Sequence, residues 1–309
     1  MLRLEVPRKP IWTNRVVAVD VPKGESTASA GAREEKLVSH PQVALHAVER
    51  GEGEPLLLVH GFGASIYSWR FLVDELAKTR RVIAIDLKGF GDSPKPLDDA
   101  YTLRDQVALV SAFIRERELR NLTLVGHSYG GGVSLLTALG LQARNEDRLA
   151  RLVLIDNVAY PQEFPFFIRA LRTPLLGPLG AWMLPATLQA RKVLELCYHD
   201  PRRITDEQVE SYAAPLRTPA GRHALIETAR RVLPPDMDRV TAGYKTLALP
   251  TLLLWGWHDR VVPLEIGARL HAELPNAELA VIADAGHIPQ EEKPAETLAL
   301  LREWLNADV

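Results

Sequence analysis

From residue 43 onward, strand-length apolar runs alternate with amphipathic segments of helical length, and this alternation narrows the fold more than anything else in the chain. The apolar runs are 43–49, 56–60, 81–86, 121–126, 149–156, 251–256 and 278–283, and helical segments are predicted at 67–79, 103–117, 129–143, 263–274 and 294–306. Strands that are apolar on both faces and separated by helices need cover on both sides. The expected fold is therefore α/β, a mostly parallel central sheet with helices on both faces. Residues 1–40 are less regular and read as an N-terminal extension or edge segment: 16–21, VVAVDV, has strand character, and 23–35 is a polar Ser/Ala/Gly-rich loop.

The alternation stops at 157 and resumes at 250. Ten of the chain's 22 prolines fall in that interval, in segments such as FPFFIRALRTPLLGPLGAWMLPATL, which read as short helices and turns. The expected domain plan is a core of 41–156 plus 250–309, with a helical cap at 157–249 inserted after the sixth strand. An insertion at the C-terminal strand ends lies where α/β folds build their sites, so its apolar inner face is expected to line a substrate pocket.

Composition removes several function classes. With 37 basic and 39 acidic residues, the net charge of −2 gives no one-signed field to draw in a polyanion, so nucleic acid is not an expected partner. A single cysteine, Cys197, makes no internal disulfide, and no Cys/His set stands at ligand spacing, so neither metal nor organic cofactor is expected. The opening MLRLEVPRKPIWTNRVV is broken by prolines and charges, unlike a secretory leader, and no run approaches the about 18 apolar residues of a membrane span. A cytoplasmic protein without membrane contact is expected; the oligomeric state is left open.

Four short motifs carry chemistry. Gly126-His127-Ser128-Tyr129-Gly130 lies between the strand NLTLVG and a helix, where a serine is held on a sharp turn with its hydroxyl exposed. Attack by Ser128 on a carbonyl creates an oxyanion that needs two donors. The backbone N–H of Tyr129, at a helix start, is one, and that of Phe62, in His60-Gly61-Phe62-Gly63, is the other. WGWHD delivers Asp259, and Ala285-Gly286-His287-Ile288-Pro289 delivers His287, each from a loop after a strand. Imidazole takes the serine proton, and a carboxylate fixes its tautomer. His60 and His127 read as structural, and Asp86 and Asp92 as organisers of a turn. Asp156, ending its strand, is the competing candidate for the acid.

These residues bring a family into view. Through HGFG at 60–63, DLKGFGDS at 86–93, GHSYGG at 126–131, WGWHD at 255–259 and GHIPQEEKP at 286–294, the chain resembles the α/β-hydrolase fold superfamily, over roughly 43 to the C-terminus. The resemblance implies Ser128 as nucleophile, His287 as base, Asp259 as acid and the Phe62 and Tyr129 amides as the oxyanion hole. HGFGASIYSWR also resembles haloalkane dehalogenases and epoxide hydrolases, which use an aspartate nucleophile. With Ser128 in that place, both activities are excluded.

The expected reaction is hydrolysis of a small-molecule carboxylic ester through an acyl-serine intermediate, on acyl or aromatic groups of modest size. Trp69, Phe164, Phe167 and Trp182 are the candidate substrate contacts, with packing beneath the site the competing role for Trp69. Alternatives within the class are carbon–carbon bond hydrolysis of ring-fission diketones, lactone or amide hydrolysis, and acyl transfer. The ring-fission hydrolases that the chain resembles often carry arginine where Trp257 stands, which counts against the first. A receptor without turnover is the contrasting reading; such proteins commonly lose a member of the Ser/His/Asp set, and none is lost here.

Overall fold

The computed structural model describes residues 15–17, 44–173 and 184–307. Within them, eight strands form one sheet: β1 (Arg15–Val17), β2 (Leu45–Arg50), β3 (Pro55–Val59), β4 (Arg81–Ile85), β5 (Leu122–His127), β6 (Leu149–Ile155), β7 (Thr251–Gly256) and β8 (Ala277–Ile282). Their order across the sheet is β1-β2-β4-β3-β5-β6-β7-β8. The pairings of β1 with β2 and of β2 with β4 are antiparallel, and those from β4 through β8 are parallel. The edge strand expected in 16–21 is thus present as Arg15–Val17, and the polar loop at 23–35 lies outside the described residues.

The helices of the two faces are α1 (Val73–Leu76), α2 (Leu103–Glu116), α3 (Ser128–Ala143), and, after β7, α9 (Leu264–Glu273), α10 (Pro289–Glu292) and α11 (Pro294–Asn306). Between β6 and β7 the described residues form α4 (Phe166–Arg172), α5 (Ala186–Cys197), α6 (Asp206–Ala213), α7 (Pro219–Arg230) and α8 (Met237–Ala242). β3, β5 and β6 are almost wholly buried because side chains on both faces meet helices. One apolar cluster joins Leu57, Leu124 and Leu154 to α2 and α3, and a second joins Leu58, Val125 and Val153 to Trp69, Leu76 and Trp304. α2 starts where a capping box predicts: the Thr102 side chain accepts from the Asp105 N–H, and Asp105 accepts from that of Thr102.

One predicted helix is corrected. Segment 67–79 is a 3-10 turn at Ile66–Trp69 followed by the single α-turn of α1, with the bonding switching from i→i+3 to i→i+4 at Leu72. The turn is anchored from outside, since the Ile66 N–H donates to Asp86 Oδ1 at 2.8 Å while Ser65 caps Tyr67. Trp69, Leu72, Val73 and Leu76 are all buried on the inner side of this segment.

Candidate active site

The sharp turn between β5 and α3 is built by backbone crowding. Ser128 has φ +52°, a left-handed conformation that a non-glycine residue adopts only when its surroundings force it. A Cβ on Gly130 would stand 2.2 Å from the His60 carbonyl oxygen, and one on Gly126 would stand 2.5 Å from that of Gly130. Only glycine lets strand and helix close this tightly, and the result points the Ser128 hydroxyl away from the sheet.

Two other loops meet it. His287 Nε2 lies 2.8 Å from Ser128 Oγ, and His287 Nδ1 lies 2.7 Å from Asp259 Oδ2. With Asp259 accepting at Nδ1, the proton resides there, and Nε2 is left to accept from the serine. Asp259 Oδ1 is occupied by the N–H groups of Val261 and Val262, at 2.7 and 3.0 Å, which fix the carboxylate's orientation. The His287 loop is itself held: His127 Nε2 donates to the His287 carbonyl at 2.8 Å, and the His287 N–H donates to that of Cys197 at 2.7 Å. Ser128, Asp259 and His287 are all buried.

The other sequence candidates sort cleanly. Phe62, Tyr129, Phe164 and Phe167 line the same cavity as Ser128 and His287. Tyr129 is in the first turn of α3, where no helical carbonyl precedes its N–H. Of the two roles open to Trp69 the structure shows packing: it is fully buried in the cluster with Leu58 and Val125 and is not among the residues that line the cavity. Trp182 lies outside the described residues. His60 is buried and fully engaged, with Nδ1 on the Gly61 carbonyl and Nε2 accepting from the Leu87 N–H. Burial lowers the pKa of His60, and burial, with His287 as a titratable neighbour, holds that of His127 well below the ordinary value. Both imidazoles act as neutral scaffolding. Asp86 gathers the N–H groups of Ile66 and Asp92 and pairs with His46, and so orders its turn.

Asp156 supplies a contact that sequence reasoning did not anticipate. It is fully buried at the end of β6 with φ +43°; Oδ1 accepts from the Gly256 N–H at 2.9 Å, and no donor reaches Oδ2. Its carboxyl group faces Asp259, the Asp156, Asp259 and His287 ligand atoms lying within 4.8 Å of one another. Burial first, and the Asp259 charge second, push the Asp156 pKa well above the carboxylate range. A protonated Asp156 can donate to Asp259; two bare carboxylates could not share so dry a space. No local pattern in the sequence marks this, since 100 and more residues separate the partners. Cys197 also lines the cavity, but burial pushes its thiol pKa upward, away from nucleophilic use.

The cavity measures about 490 Å³ and is roofed by the inserted helices. Phe164, Phe167, Leu171 and Val193 are among its apolar walls. Lys192 is the cationic side chain among the described lining residues, and it is exposed and paired with Glu195 at 2.7 Å.

Comparison with known proteins identifies the fold that carries these residues. The family described as alpha/beta hydrolase fold matches residues 54–294. A 2-hydroxymuconate semialdehyde hydrolase of a Pseudomonas species is 31% identical over 265 residues, 83% of this chain and 88% of that protein. A haloalkane dehalogenase of Agrobacterium fabrum is 30% identical over 278 residues, 84% of this chain and 88% of that one. Among solved structures, a thermophilic esterase from Thermogutta terrifontis superposes with a TM-score of 0.72 at 25% identity, covering 94% of this chain and 98% of its own.

Proposed function

Because the chain belongs to the alpha/beta hydrolase fold family, we propose that it is a serine hydrolase cleaving carboxylic esters of small to medium apolar acyl or aromatic groups. The observation that carries this is the hydrogen-bonded row Ser128–His287–Asp259 opening into an apolar chamber. Residues 157–249 act as the cap over a core of 41–156 and 250–309.

Ser128 Oγ attacks the ester carbonyl while its proton passes to His287 Nε2, and the imidazolium is stabilised by Asp259. The oxyanion is taken by the N–H groups of Phe62 and Tyr129, each worth about 3 kcal/mol of barrier. His287 then protonates the departing alcohol and activates water to release the acid.

Carbon–carbon hydrolysis of ring-fission products is the second reading, and the 31% identity to a muconate semialdehyde hydrolase favours it. A muconate semialdehyde is a carboxylate and needs a buried cation or donor cluster to offset its desolvation. Among the described lining residues Lys192 is the one cationic side chain, and it is exposed and paired; residues 174–183, PLLGPLGAWM, carry no charge, and Trp257 is exposed to solvent outside the lining. Chamber chemistry therefore supports a neutral substrate. Dehalogenation by an alkyl–enzyme ester requires an aspartate at the elbow, where this chain has Ser128.

A panel of p-nitrophenyl esters of increasing chain length, run beside an anionic ring-fission diketone, tests the choice. Medium-chain esters should exceed the diketone in kcat/KM by at least about tenfold, the scale of one well-placed charged contact. The reverse ranking would exchange the two readings. Stoichiometric labelling by a fluorophosphonate, abolished in Ser128→Ala along with a roughly 10⁶-fold fall in turnover, tests the nucleophile under either.

A further inference from the structure

Outside the site, the described residues bring three segments together at the surface. His199 follows α5, His258 immediately precedes Asp259 in the loop after β7, and Asp284 lies in the loop after β8 that leads to His287. All three side chains are exposed, and their candidate donor atoms lie within 4.8 Å of one another. The two imidazoles stack at 3.9 Å with an interplanar angle of 11°, and neither ring has a hydrogen-bond partner among the described residues. Two further His/Asp groups, His46–Asp86–Asp92 and Asp156–Asp259–His287, are already committed to the turn and to the site.

The backbones beneath these side chains are locked in place. Glu292 Oε2 accepts from the N–H groups of His199 and Gly286 at 3.0 and 2.7 Å, and Oε1 accepts from that of Asp200 at 2.7 Å. The His258 N–H donates to the Ala285 carbonyl at 2.9 Å. His199 and His258 therefore hang from fixed main chain, and Asp284 directly precedes Ala285, which takes the His258 N–H; side-chain rotation would turn the stack into a chelate. Two nitrogens at about 2.0–2.1 Å from one ion in a tetrahedral site stand about 3.4 Å apart, a closure that turns about exposed side-chain bonds supply. The competing contact is slight: Lys293 Nζ approaches Asp284 at 3.7 Å, on a carboxylate largely in solvent, and is shared with Glu296.

We propose that His199, His258 and Asp284 form a surface site for a borderline divalent transition metal such as zinc, bridging the inserted helices to the loops that carry Asp259 and His287. Imidazole nitrogens select such ions over magnesium or calcium, which prefer all-oxygen shells. An ion held there cross-links three segments that are far apart in sequence. The site is independent of the ester-hydrolase reading.

The test uses the full-length protein, stripped with a chelator and titrated with zinc chloride alone in a calorimeter. One equivalent should bind, with a zinc-dependent rise in Tm. His199→Ala and His258→Ala should each weaken binding by at least about tenfold, since even outer contacts of metal sites cost that much, and should abolish the Tm rise. Both positions are exposed, so the metal-free Tm of each variant should stay near that of the parent. Absence of saturable one-to-one binding would overturn the proposal, as would unaltered affinity in both histidine variants or equal affinity for magnesium.

Discussion

Two aspartates compete for the imidazole, and exchanging each for asparagine separates them. In Asp259→Asn, the amide oxygen can still accept from Val261 and Val262, which turns the NH2 group toward His287 Nδ1. A donor there forces the imidazole proton onto Nε2, facing Ser128, where a lone pair is needed. The cost expected is about 10⁴ in kcat, or four powers of ten at 1.36 kcal/mol each, roughly 5.4 kcal/mol of barrier. Asp156→Asn is different. Asparagine tolerates the left-handed backbone at that position, its oxygen can keep the Gly256 N–H, and its NH2 can donate to Asp259 as a protonated acid would. The fall in kcat should stay within about tenfold. Turnover of p-nitrophenyl butyrate and the rate of fluorophosphonate labelling provide the assay, with Asp156→Ala as a check on stability. That variant strands the buried Gly256 N–H and should lose about 1–3 kcal/mol of folding free energy while keeping far more activity than Asp259→Asn. A larger kcat loss in Asp156→Asn than in Asp259→Asn would refute the assignment.

Other outcomes follow from the same structure. Phe167→Ala, which removes a wall of the chamber in ring contact with Phe62, should raise KM for medium-chain esters with little change in kcat, since the contact is made equally in ground and transition states; a kcat-only effect would contradict a simple binding role. Gly130→Ala places a methyl group on the Val59 and His60 carbonyls and should cost several kcal/mol or prevent soluble expression, read by Tm or yield. For the buried His46–Asp86 pair, the hydrogen bond to Asp86 raises the His46 pKa, whereas Asp86 stays below its ordinary value because the bond from His46, with the neighbouring donors, outweighs burial. Their shared contribution is present while both are charged. It is lost on the alkaline side as pH rises through the raised histidine pKa, and on the acid side as pH falls through the depressed Asp86 pKa. His46→Ala should therefore lower Tm more at pH 6 than at pH 9, and an equal effect at both would show that the charge is immaterial.

Much of this architecture is readable from the chain because its signals are local. β3 (PLLLV), β4 (RVIAI) and β7 (TLLLWG) each hold a contiguous apolar run, and GHSYG declares its turn through glycines whose Cβ atoms would collide. Chain order then suffices to bring Ser128, Asp259 and His287 to one end of the sheet. What escaped the sequence depends on contacts with no period. The helix expected over 67–79 divides into a 3-10 turn and a short α-turn, and the first N–H of that turn, from Ile66, is held by Asp86 just past β4. The facing carboxyl groups of Asp156 and Asp259, and the gathering of His199, His258 and Asp284, join residues from separate crossovers. Neither leaves a trace in spacing or hydropathy.

Glu292 imposes a restriction on how the chamber can admit a guest. One buried carboxylate grips the main chain at His199 and Asp200 on the far side of α5, and at Gly286 beside the base. Swinging that end of the roof outward would break these bonds beside His287, so a bulky molecule is more readily admitted from the α4 side, where, among the described residues, no hydrogen bond ties the helix itself to the loops of Asp259 and His287.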